Sequence, residues 1–163
     1  MLSLGAVAFD PEGEEIGEFS RNLLELPGAQ PDTSTMEFWK KNPKAWIEAR
    51  RDAWEPGPAM DAWRKWLGGL PGKKVAVCYP SGFDFTWTHW YSWRFLGFDP
   101  LGFQPIDIKT LAWAKVGGEF RDVVKRKMPK EWFEPEGQHS HVAVEDAREQ
   151  GKLFFAIKRE LGI

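Results

Sequence analysis

The chain has 163 residues, 42% hydrophobic and 28% charged, which is the make-up of one globular domain spanning 1–163 rather than of a disordered or fibrous chain. A mean hydropathy of -0.47 and the lack of any apolar run of about 18 residues exclude a helical membrane span. The net charge of -2 means that nucleic acid would have to be met by a local basic surface.

Residues 2–9 are apolar and β-prone and begin at once after Met1, without the charged leader and long apolar core of a signal peptide. Pro11, Glu12 and Gly13 supply turn chemistry, and a second extended run from about Glu15 to Leu24 completes an expected β-hairpin. Thr33, Ser34 and Thr35 offer caps for a short helix, Pro43 suits the first turn of a second, and Pro58 begins a third. That third helix carries Met60, Trp63, Trp66 and Leu67 on one face and closes at Gly68-Gly69. Val75 to Tyr79 is a nearly continuous apolar run, expected as a strand buried on both faces. Its one cysteine, Cys78, is the only one in the chain, so it is read as a buried, inert thiol in keeping with a reducing cytoplasm.

After Asp84, a helix with Phe83, Trp87, Trp90, Tyr91 and Phe95 at helical spacing runs to Gly97. Ile106 to Thr110 reads as a short strand leading into another helix, followed by a basic segment from Arg121 to Lys130. The last helix starts near Val142 and is expected to bury Ala147, Phe154, Ile157 and Leu161. Ten tryptophans are spread without a fixed period, so they mark no repeat and are expected mostly in the core. Strands interspersed with helices make this an α/β chain.

Two places carry chemistry. His141 stands immediately before the last helix and Asp146 in its first turns, a pairing that suits a mobile base beside a hard oxygen ligand for Mg²⁺ or Mn²⁺. The plainer alternative is an exposed histidine with Glu145 and Asp146 favouring the helix N-terminus. Asp84 lies where a strand hands over to a helix, a position that suits a metal or substrate ligand and equally suits an ordinary N-cap.

Taken together, Leu2-Ser3-Leu4-Gly5-Ala6-Val7-Ala8-Phe9-Asp10, Ser81-Gly82-Phe83-Asp84-Phe85, Ile106-Asp107-Ile108-Lys109-Thr110-Leu111-Ala112 and His141-Val142-Ala143-Val144-Glu145-Asp146-Ala147 resemble, in this order, the DEDDh 3′–5′ exonucleases. The stretch from Lys125 to Phe133, with Met128-Pro129-Lys130, is similar to a bacterial and phage subgroup. The resemblance implies an RNase H-like mixed β-sheet flanked by helices, and two divalent cations about 4 Å apart acting on a phosphodiester. It implies Asp84 and Asp146 as metal ligands and His141 as general base. It also suggests Lys125, Arg126, Lys127 and Lys130 against phosphates, and Phe83 or Phe85 stacked on a terminal base of single-stranded RNA or DNA. For the lysine and arginine run a solvated face is the plainer fate, and for each aromatic, core packing.

The first motif of that family, an Asp and a Glu two positions apart on a central first strand, has no counterpart, because Met1 directly precedes the Leu2–Val7 run. The usual first strand is therefore expected to be missing. Either the start lies upstream or the chain is a degenerate relative whose sheet closes another way, with a second copy able to cover the open edge. Hydrolysis by this polypeptide is expected to be poor, since half of the carboxylate ligands are lacking. A binding module without chemistry and a protein-interaction domain built on exposed tryptophans are the rival expectations.

Overall fold

The computed structural model describes residues 1–133 and 141–163. The N-terminal hairpin forms as the turn chemistry predicts: β1 (Ser3–Phe9) pairs antiparallel with β2 (Glu15–Asn22), with Ser3 opposite Asn22 and a slip in register after Ala8. Asp10 closes the turn by accepting the amides of Glu12 and Glu14 at 3.0 and 2.9 Å, and Gly13 takes the left-handed φ of 95° that the reversal requires.

Helix α1 (Thr33–Lys41) is capped one residue earlier than the Thr33–Thr35 run suggests, by Asp32, whose carboxylate accepts the Thr35 amide at 2.8 Å. α2 (Pro43–Glu48) opens on its proline, and α3 (Pro56–Gly69) starts two residues before Pro58. The expected face of α3 is the buried one, with Met60, Trp63 and Leu67 in a core shared with Leu4, Phe19 and Leu23 of the hairpin and Tyr91 of α4 (Ser81–Leu96). A second core joins α5 (Ile108–Val116), a series of single 3₁₀ turns and α6 (Ala143–Leu161) through Ile108, Ala112, Val123, Trp132, Leu153 and Ile157.

Among the described residues the architecture is mixed α/β with six α-helices and small sheets. β3 (Val77–Cys78) and β4 (Ile106–Asp107) form a parallel pair, and among the described residues this pair is not hydrogen-bonded to the hairpin. Helix α6 bridges the two. Its first turn lies so close to β1 that a Cβ on Gly5 would stand 2.2 Å from the Ala143 carbonyl carbon, and a Cβ on Gly151 would stand 2.1 Å from the ring of Phe9. Among the described residues no helix is long and apolar enough to cross a membrane.

Several expectations are corrected. The Val75–Tyr79 run yields a two-residue strand with half-buried side chains and leaves Val75 57% exposed, because among the described residues β3 has one pairing partner instead of a neighbour on each side. Only Trp63 and Trp132 of the ten tryptophans are buried, while Trp54, Trp87, Trp90, Trp93 and Trp113 are exposed. Three of those five lie on α4, which α3 covers on one side, so that Tyr91 is buried and Phe83 is 63% exposed. On α6 the buried side chains are Val144, Leu153, Ala156 and Ile157; only Ile157 belongs to the face the spacing suggests.

Candidate functional site

The β3–β4 pair positions the site. β3 runs into Tyr79 and Pro80, and α4 begins at Ser81, which places Asp84 in its first turn. The backbone amide of Asp84 already bonds the Pro80 carbonyl at 3.3 Å, and the helix has no side-chain cap. The carboxylate is thus not spent as an N-cap and faces α6, where the Gln150 side-chain amide donates to Oδ2 at 3.4 Å.

Helix α6 presents Asp146 and Gln150 one turn apart, which puts both on the face towards Asp84. Gln150 joins the two elements, since its Oε1 accepts the Tyr79 amide at 2.7 Å. Burial holds the Asp84 carboxyl above its usual range and the Asp146 charge adds to this, against the Gln150 amide, Lys125 and the Tyr79 backbone amide, which favour the ionised form. Lys125 lies with its ammonium 5.6 Å from the Tyr79 ring centroid. Two hard oxygen donors therefore lie near enough in a half-buried place for their charges to repel, and a divalent cation would relieve that repulsion. Among the described residues, no group of three or more His, Cys, Asp or Glu side chains is arranged to hold a metal ion. The donor set fits one cation better than two.

The other sequence candidates lie around this pair or away from it. Lys127 bonds Asp122 at 2.8 Å, and Lys125, Arg126 and Lys130 all lie in the 3₁₀ turns. Phe85 stacks on His89 at 5.4 Å, and His89 in turn meets the buried carboxylate of Asp99 at 2.6 Å. His141 has a left-handed φ of 54° and packs edge-on against Phe38, 5.1 Å between ring centroids. It lines a small polar cavity with Ser3, Ser20, Asn22 and Glu48, on the hairpin and α2.

Sequence reasoning misses Gln150 and Tyr79. The signal for Gln150 is its place four residues after Asp146. Tyr79 reads only as the end of a strand, and its role comes from the backbone amide, which carries no residue signature. Asp107 stands out in the sequence only as part of a segment. It caps α5 and accepts the Ser81 amide at 2.9 Å, tying β4 to the start of α4.

No family model matches the chain. The chain is similar to the 3′–5′ DNA exonuclease Cap18 of Escherichia coli, 26% identical over 166 aligned positions that cover 98% of this chain and 82% of that protein. This similarity supports an exonuclease relationship.

Proposed function

We propose that the chain is an exonuclease-like domain of the DEDDh type and RNase H-like ancestry, acting on the 3′ ends of single-stranded nucleic acid with Mg²⁺ or Mn²⁺. The placing of Asp84 against the face of α6 that carries Gln150 and Asp146 supports the reading, as does the similarity to a 3′–5′ DNA exonuclease. Asp84 and Asp146 would hold the cation, with Gln150 fixing the direction of the Asp84 carboxylate. Bound there, divalent metal would polarise the scissile phosphate and stabilise the leaving 3′ oxygen. His141, on the segment entering α6, takes the proton of the attacking water as general base. Lys125, beside Tyr79, offers its ammonium to a phosphate, with Arg126, Lys127 and Lys130 further along the same turns, while Phe83 or Phe85 supports a terminal base.

Two carboxylates hold a metal pair poorly, so hydrolysis by these residues alone is expected to be weak. That same observation favours a second reading, a nucleic-acid-binding module that keeps the binding residues without the chemistry. The test is to incubate 3′-labelled single-stranded DNA and RNA with Mn²⁺ and the chain, Asp84→Asn, Asp146→Asn or His141→Ala. Stepwise shortening that each substitution abolishes supports the exonuclease. Shortening that survives Asp84→Asn and Asp146→Asn overturns the assignment of the site. Salt-dependent binding of oligonucleotide with no cleavage makes the binding module the correct reading.

A further inference from the structure

The segment between 33 and 51 is unlike the rest of the molecule. It contains Lys40, Lys41, Lys44, Arg50 and Arg51 against only Glu37 and Glu48, in a chain whose net charge is negative. Helix α1 buries none of its side chains and α2 buries only Ala45, so the aromatic residues here are not required by either core. They form a row of their own. From His141, the ring centroids step to Phe38 at 5.1 Å, on to Trp39 at 5.3 Å and to Trp46 at 5.5 Å, and the guanidinium of Arg50 lies 4.8 Å from the Trp46 ring. Phe38 is 41% exposed.

Aromatic rings interleaved with cations are what a single strand of nucleic acid needs: faces for its bases and ammonium or guanidinium groups for its phosphates. The acids that pair with Lys40, Arg50 and Arg51 do so at the surface, where an ion pair is weak and readily exchanged for a phosphate. The row ends at His141 and the polar cavity beside it.

We propose that α1 and α2 form the track for single-stranded nucleic acid, with bases on Phe38, Trp39 and Trp46 and phosphates on Lys41, Lys44 and Arg50, leading the strand towards His141. This rests on the proposed function for the identity of the occupant, and it places the principal grip away from the turns that carry Lys125 to Lys130. An anionic membrane would also attract the cations, but it would be met by rings projecting outward together, whereas Trp39 and Trp46 are half-buried and packed against each other.

The experiment uses the whole chain and a fluorescein-labelled 12-residue oligodeoxythymidylate, followed by anisotropy across a salt series. Trp39→Ala and Trp46→Ala are each expected to weaken binding about tenfold. Lys41→Gln with Lys44→Gln is expected to reduce the slope of log affinity against log salt by about 1.4, or about 0.7 for each phosphate that is no longer neutralised. Phe103→Ala, at an exposed ring outside the row, is expected to leave affinity unchanged, and far-ultraviolet circular dichroism verifies that each variant is folded. If the tryptophan and lysine variants bind as wild type while Lys125→Gln with Lys130→Gln loses the slope, the track is overturned and the proposed function stands. If wild type binds vesicles of anionic phospholipid but no oligonucleotide, the track is overturned and the proposed function with it.

Discussion

Two junctions in this molecule are built alike and use an aspartate in opposite ways. Each is a two-residue strand handing over to a helix, β3 to α4 with Asp84 and β4 to α5 with Asp107. Asp107 accepts the Thr110 amide at 2.8 Å, the Thr110 hydroxyl at 2.9 Å and the Ser81 amide at 2.9 Å. Burial alone would raise its carboxyl, but these donors outweigh burial and hold it below the usual range. Asp84 has the Gln150 amide at 3.4 Å, a lesser contribution from the Tyr79 backbone amide and a second carboxylate for a neighbour, so burial holds it above that range. Acceptor capacity consumed by the protein suits Asp107 to a structural role, and acceptor capacity left over suits Asp84 to the proposed one.

The largest test of this contrast is a cation. A divalent ion at a hundred times its dissociation constant stabilises a folded protein by about 2.7 kcal/mol, roughly a 5–10 °C rise in Tm at this size. Mn²⁺ is expected to raise the Tm of wild type and of Asp107→Asn, and to leave Asp84→Asn and Asp146→Asn unmoved. Equal shifts in all four proteins would place the ion elsewhere. Next in size is the cap: Asp107→Ala should cost about 1–2 kcal/mol in urea unfolding, since the amides of Thr110 and Ser81 lose their acceptor. Asp107→Asn should cost less because an amide oxygen still caps. An alanine as stable as wild type would remove the structural role.

Much of the fold is legible in the sequence. Pro11-Glu12-Gly13 between two β-prone runs specifies the hairpin, and Met60, Trp63 and Leu67 specify the inner face of α3, because both signals are local. The apolar run Val75–Tyr79 cannot say how many neighbours its strand will find, since pairing is decided by other parts of the chain, and so it reads as buried on both faces. The inner face of α6 is misplaced for a related reason: several apolar stripes fit its sequence, and packing of Leu153 and Ala156 against α5 chooses one. At the site, Asp84 and Asp146 stand out from their places at helix starts and from a family resemblance, while their approach to each other needs the fold. Gln150 becomes meaningful only once the face of α6 is known.

Acid titration separates the two junctions by sign. Asp84 has a folded value raised above the unfolded one of about 3.9, so its contribution to stability is full below that pH and is lost as pH rises through the folded value. Asp107 has a lowered folded value, so its contribution is present above about pH 3.9 and is lost as pH falls through the folded value. Asp84→Asn should therefore gain on wild type as pH rises from about 3.9 through the raised folded value, and Asp107→Asn should lose ground as pH rises from the lowered folded value to about 3.9. Parallel pH curves for the two variants would show that the carboxylates do not differ.

Cys78 reports on both carboxylates through their charges. Burial first, then the charges of Asp84 and Asp107, push its thiol up to about 12, so alkylation by iodoacetamide at pH 8 should be slow. Removing either charge lowers the cost of forming the thiolate. Asp84→Asn should speed labelling more than Asp107→Asn, because Asp84 exerts the larger of the two charge effects on the sulfur. The change should remain within about tenfold, since a tenfold shift in thiolate population requires about 1.4 kcal/mol of charge interaction. Burial persists in both variants, so neither should label as fast as an exposed thiol. Faster labelling in Asp107→Asn than in Asp84→Asn would mean that the Asp84 charge is already neutralised in solution, by a proton or by a bound cation. Repeating the reaction with a chelator separates these: only a bound cation would be stripped away, restoring the slow labelling of the wild-type thiol beside an ionised Asp84.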